Sequence, residues 1–217
     1  MKKAVIFDMD GLMIDSETVT YDSFVKVLHD LGHDDFTLEM YCNVLGKRKP
    51  GILDVVEGYY PDIDREKFWV DTHILLDDSL RHHVPKKKGL DEILAYCREN
   101  GLKVVVATSS ERARVQEILT NGEVWQYVDD AVCADDVTHG KPDPETFLKA
   151  VEKAGVDKDE CIVLEDSESG IECAYRGGID VICVLDKKYP GEDYASKPIR
   201  IVDSLLDVIE YLKEENA

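Results

Sequence analysis

Five short runs constrain this chain most: AVIF at 4–7, KVVVAT at 103–108, DAVCA at 130–134, CIVLE at 161–165 and DVICVL at 180–185. Each is apolar on consecutive residues and rich in β-branched Val and Ile. A strand with one wet face alternates apolar and polar residues, so unbroken runs read as strands buried on both faces, as in a parallel sheet. Between the later runs lie the helical patterns GLDEILAYCREN, SERARVQEILTN, DPETFLKAVEKAG and SGIECAYRGG, several of which stop at Gly or Asn as helix ends prefer. Strand alternating with helix places the chain in the α/β class.

One span breaks the alternation. From 15 to 83 helical patterns follow one another without a comparable strand: TVTYDSFVKVLHDLG, LEMYCNVLG, GILDVVEGYY and DREKFWVDTHILLDDSLRHH. The expectation is a helical domain at 15–83 inserted after the first strand, with residues 1–14 and 84–217 forming the α/β core. Lys86, Lys87 and Lys88, flanked by Pro85 and Gly89, suit a hinge where the chain returns. With 217 residues, 44% of them hydrophobic, the chain can bury a real core.

A net charge of −20 disfavours nucleic-acid backbones and anionic membranes, and an anionic small molecule would need a local positive site. The six cysteines form no C-x-x-C pair and several lie in strand-like runs, which suggests a reducing cytoplasm. No segment has the length of a signal peptide or a membrane span. A cytoplasmic monomer is the expectation, with neither nucleic acid nor membrane as partner.

In open α/β sheets ligands bind beyond the carboxyl ends of the strands. Here those ends are reactive: Asp8 and Asp10 follow the first run, Thr108, Ser109 and Ser110 the second, Lys141 the third, and Glu165 and Asp166 the fourth. Each has a structural alternative. Thr108 with Glu111 fits a capping box, and so does Ser169 with Glu172, where Asp166 could also cap. Asp143 and Pro144 read as an N-cap and first helical residue beside a solvated Lys141. Asp8 and Asp10 could be turn formers before Gly11. Jointly these readings weaken, because each would have to arise independently at successive strand ends.

Other motifs are absent. A calcium loop counted from Asp8 needs Gly and Glu where Met13 and Val19 stand. There is no G-x-x-x-x-G-K-[ST], G-x-G-x-x-G after the first strand, or G-x-S-x-G. The all-oxygen acid set suits Mg²⁺, which takes few carboxylates, several waters and substrate phosphate. A hydroxyl and a lysine can hold the phosphoryl oxygens. Asp8, ionised near neutral pH, can act as nucleophile, and Asp10, two residues on and facing the same way in extended chain, as general acid and base. Gly11 permits a tight turn and can offer its N–H to phosphate, with Ser109 beside it.

FDMDG, Thr108 ending the second run, Lys141 in GKPDPE, and LEDSESG together resemble the successive motifs of the haloacid dehalogenase-like hydrolases. The resemblance is to the subgroup with a helical cap that includes β-phosphoglucomutase and sugar phosphatases. It implies a Rossmann-like parallel sheet with helices on both faces, Asp8 as nucleophile, Asp10 as acid/base and carbonyl metal ligand, and Asp166 as metal ligand. It also implies Glu165 in or near the metal shell, and Thr108 and Lys141 on the phosphate. Mutases of the family usually carry a His where Thr20 stands, which favours water as acceptor and hence a phosphatase acting on a small phosphorylated metabolite. The basic run Gly46-Lys47-Arg48-Lys49 offers Lys47 and Lys49, or Arg48 by a small shift, as contacts to an anionic substrate. A β-phosphoglucomutase-type mutase, a phospho-Asp receiver and a catalytically silent binding module are the alternatives.

Overall fold

The computed structural model describes residues 1–47 and 49–216. The chain forms two compact units, Met1–Asp15 with Val84–Ala217, and Ser16–His83. Along the chain run β1 (Ala4–Phe7), α1 (Ser16–Asp30), α2 (Leu38–Cys42), α3 (Lys49–Tyr59), α4 (Arg65–His82), α5 (Leu90–Glu99), β2 (Lys103–Ala107), α6 (Arg112–Asn121), β3 (Asp130–Val132), α7 (Glu145–Ala154), β4 (Cys161–Glu165), α8 (Glu168–Gly177), β5 (Val181–Val184), α9 (Glu192–Ala195), β6 (Arg200–Val202) and α10 (Leu205–Glu215).

The first unit is a six-stranded parallel sheet in the order β3-β2-β1-β4-β5-β6. Successive strand residues face opposite sides. Ala4, Ile6, Val105, Cys161 and Val163 pack with Phe147 and Ala150 of α7 and Cys173 and Ala174 of α8. Val5 and Phe7 face the other way and are equally buried, on a sheet that α5 and α10, packed together, also contact. Burial on both faces is the physical reason that the strands read as unbroken apolar runs. All six cysteines are free thiols and five are buried, and burial pushes Cys97 and Cys183 up to about 12.

Two elements lie beyond those runs. The edge strand β6 has three half-exposed or exposed residues, too few for a buried-strand signal. Helix α10 buries Leu205, Val208, Ile209, Tyr211 and Leu212 on one stripe, and the Ser204 hydroxyl and the Asp207 carboxylate cap its start.

Strand register decides where the site lies. Phe7 pairs with Val106 on one side and Leu164 on the other. Asp8 therefore emerges level with Glu165, and its N–H donates to Leu164 O at 3.1 Å. The order reverses between β1 and β4, the switch point at which doubly wound sheets open a crevice. The chain leaves this unit after Asp15 and returns at Val84. There Asp15 N–H donates to Pro85 O (2.8 Å) and Lys87 N–H to Met13 O (2.9 Å).

The helical unit has its own core of Phe24, Val27, Leu28, Phe36, Tyr41, Val44, Leu53, Val56, Tyr60 and Phe68. Phe24 meets Phe68 edge-on at 4.9 Å and Tyr41 at 5.5 Å. Asp64 caps α4 by accepting from Lys67 N–H (3.0 Å). Among the described residues no helix is long and apolar enough to cross a membrane.

Candidate active site

The ends of β1, β2 and β4 and the loop after β3 supply the polar residues. Asp8 is buried, and its Oδ1 accepts from Lys141 Nζ at 2.5 Å. Lys141 Nζ also donates to Glu165 Oε1 at 2.8 Å and lies 4.5 Å from the centre of the Phe147 ring. One buried ammonium thus joins a carboxylate from β1 to one from β4. Burial pushes the Asp8 carboxyl up from 3.8 to about 7, with Glu165 and Asp10 acting in the same direction against the pull of Lys141. Burial alone would lower Lys141, but Asp8 and Glu165 outweigh it and hold its ammonium above the ordinary lysine value. Burial thus works against the Asp8 carboxylate, and the Lys141 ammonium is the group that favours its ionised form.

The loop carrying Lys141 is tied at several points. Glu145 accepts from Thr138 N–H (3.0 Å) and His139 N–H (2.8 Å), and pairs with Lys149 (2.7 Å). Those partners hold its carboxyl at about 2. Cys173 Sγ donates to Asp143 O at 2.9 Å. Helix α7 begins at Glu145 with Pro144 at its N-cap and no side-chain cap bond; Asp143 instead accepts from Glu145 N–H (3.0 Å). Lys141 is 4% exposed, so the solvated-lysine alternative is wrong.

The capping alternatives for the other residues also fall. Helix α6 has Glu111 at its N-cap without a side-chain bond, while buried Thr108 accepts from Ser110 N–H at 3.2 Å. Helix α8 is capped by Ser167, which accepts from Gly170 N–H at 3.1 Å, so neither Asp166 nor Ser169 has that duty. Glu172 pairs with Arg176 and Lys197.

Gly11 and Glu165 both have partners within the protein. Gly11 takes φ +84°, as a tight turn requires, and its N–H donates to Ile14 O at 2.9 Å. Both Glu165 oxygens have protein partners, Oε1 accepting from Lys141 and Oε2 from Ser167 N–H (2.7 Å), so Glu165 holds Lys141. Gly170 packs so closely on it that a Cβ there would lie 1.7 Å from Oε1.

Asp166 lies against the β1 turn, since a Cβ on Gly11 would stand 2.4 Å from Asp166 Oδ2. This brings the two acid-bearing loops together. Among the described residues no three His, Cys, Asp or Glu side chains gather as a ready metal cage. Mg²⁺ needs none, because it takes one or two carboxylates and completes its shell with waters and phosphate oxygens.

Asp10 is partly exposed. Its Oδ2 accepts from Ser110 Oγ (2.8 Å), and Arg114 Nη2 lies 3.4 Å from Oδ1. Sequence reasoning missed Arg114. The available signal was that Arg112 and Arg114 stand in the first turn of α6, the helix end that disfavours cations, and each has an acidic partner: Asp136 for Arg112, Asp10 for Arg114. Ser109 is exposed beside them.

In the helical unit Thr20 Oγ1 donates to Ser16 O in its own helix (2.8 Å). Lys49 pairs with Glu66 (2.8 Å) and lies 5.4 Å from the Trp69 ring centre, while Lys47 is exposed. Arg48 lies outside the described residues.

Known proteins show the same arrangement of chain. Residues 5–184 match the family described as haloacid dehalogenase-like hydrolase. The chain is 29% identical over 181 residues to the phosphorylated carbohydrates phosphatase of Thermotoga maritima, covering 83% of each. It is 31% identical over 173 residues to hexitol phosphatase B of Escherichia coli K12, covering 77% of each. The structure of a HAD family hydrolase from Deinococcus radiodurans, at 23% identity, superposes with a TM-score of 0.85 over 98% of this chain and 96% of that one, a likeness of fold. The chain belongs to the haloacid dehalogenase-like hydrolases.

Proposed function

We propose that this protein is a phosphatase that hydrolyses a small phosphorylated metabolite, a sugar phosphate, through an aspartyl-phosphate on Asp8. The observation that carries the reading is the buried Lys141 ammonium joining Asp8 to Glu165 at the switch point of the sheet. The relatives named as carbohydrate and hexitol phosphatases support the substrate class.

An Asp8 carboxylate oxygen attacks phosphorus, and the bond from phosphorus to the ester oxygen breaks. Asp10 gives that oxygen its proton, so the alcohol leaves neutral. Water then attacks the aspartyl-phosphate, Asp10 takes its proton, and phosphate leaves Asp8 as it began. Lys141 and the Thr108 hydroxyl hold phosphoryl oxygens as charge shifts among them.

The donor set fits Mg²⁺: Asp8, Asp166 and the Asp10 carbonyl would hold it, within the one or two carboxylates such an ion takes. Bound there, Mg²⁺ would supply positive charge to offset that of Asp8 and a phosphoryl group and so would favour the ionised nucleophile. Choice among substrates is assigned to the inserted helical unit, with exposed Lys47 as its anion contact. Thr20 offers no imidazole and bonds within its own helix, which supports water as the acceptor.

The test is phosphate release with Mg²⁺ from a panel of sugar phosphates and p-nitrophenyl phosphate, alongside Asp8→Asn. Release that needs Mg²⁺ and disappears in Asp8→Asn is expected. Release surviving Asp8→Asn, or none from wild type, defeats the proposal. Interconversion of glucose 1- and 6-phosphates on priming with a bisphosphate makes the protein a mutase.

A further inference from the structure

Asp10 is held by side chains of the β2–α6 segment. Ser110 Oγ donates to Oδ2 at 2.8 Å and Arg114 Nη2 approaches Oδ1 at 3.4 Å, so each carboxylate oxygen faces a different donor. We propose that Ser110 and Arg114 are positioning residues that fix the orientation of the Asp10 carboxylate for proton transfer. This rests on the phosphatase reading above.

An Asp carboxylate about a third exposed can sample several rotamers, and a general acid loses rate when its proton points away from the leaving oxygen. Two donors on two oxygens remove that freedom. The arm that holds them is itself anchored. Ala134 N–H donates to Ser110 O (2.9 Å), Ser110 N–H to Thr108 Oγ1 (3.2 Å), and Arg112 N–H to Asp135 (3.2 Å). Thr108 still has its own O–H to donate to a phosphoryl oxygen, since a hydroxyl both donates and accepts. A continuous chain thus runs from the phosphate-side hydroxyl of Thr108 through Ser110 to Asp10. Arg114 stands in the third position of α6, where the helix dipole opposes a cation, and Asp10 compensates it.

The experiment measures kcat and KM for Ser110→Ala, Ser110→Thr, Arg114→Met and Arg114→Lys, each also in an Asp10→Asn background. Crystal structures of wild type and Ser110→Ala/Arg114→Met are compared beside them. Ser110→Ala and Arg114→Met are expected to lower kcat about tenfold with KM within about twofold. Thr and Lys should restore most of the rate, and neither loss should appear in Asp10→Asn. The double variant should show Asp10 turned or in several orientations. An unchanged kcat, a loss expressed in KM, an equal loss in Asp10→Asn, or an unmoved Asp10 carboxylate overturns the proposal. A wild type without phosphate release defeats the phosphatase reading instead, and the Asp10 orientation in the two crystal structures then decides whether Ser110 and Arg114 hold it.

Discussion

Lys141→Met tests the electrostatic core of the site. Methionine keeps most of the volume and the contact with Phe147, but it leaves Asp8 and Glu165 buried side by side without a cation. Both are nearly inaccessible, at 10% and 1% of side-chain surface, so water cannot replace the ammonium. Removing one partner of a buried ion pair costs roughly 3–5 kcal/mol, which for a chain of this size lowers Tm by about 6–20 °C. The sign of the pH dependence follows from Asp8. Its carboxyl is raised from 3.8 to about 7, so its stabilising contribution is full below about 3.8 and is lost as pH rises to about 7. Taking away Lys141 removes the attraction that opposes burial, so the variant keeps the Asp8 proton to higher pH. Its deficit against wild type should be largest near pH 9 and should shrink toward pH 6 as the carboxyl becomes neutral. Urea unfolding followed by circular dichroism at several pH values measures this. Phosphate release should fall at least ~100-fold, because the nucleophile is protonated and an oxyanion-holding charge is gone. A deficit below about 1 kcal/mol, or one that does not change with pH, would refute the reasoning that Lys141 neutralises a buried acid pair.

Gly170→Ala places a Cβ 1.7 Å from Glu165 Oε1; displacing that carboxylate should cost about 1–3 kcal/mol and lower phosphate release with it, and wild-type activity in the variant would show that Glu165 does not hold Lys141. Phe68→Ala removes a wholly buried ring that meets Phe24 edge-on; calorimetry should show the helical unit losing roughly 3–5 kcal/mol, and an unshifted transition would mean that this aromatic cluster does not carry that unit's stability.

The α/β class was legible because burial on both faces leaves unbroken apolar runs, and each of the five runs named from sequence contains one of β1 to β5. Edge strand β6 carried no such signal, since its residues remain partly wet. Asp8, Asp10, Thr108, Lys141 and Asp166 were legible as candidates because each is a polar residue where an apolar run or the loop after it ends.

What the sequence by itself determined was the alternation of β1 to β5 with helices and the kinds of chemical group at the strand ends, both written in local patterns of burial. Only the tertiary structure decided how those groups share duties, because that depends on register. The pairing of β1 with β4 set Glu165 level with Asp8, which committed it to Lys141. The β1 turn closed the Gly11 N–H onto Ile14 O. Arg114 reached Asp10 across a separation of 104 residues, a contact that no local pattern encodes.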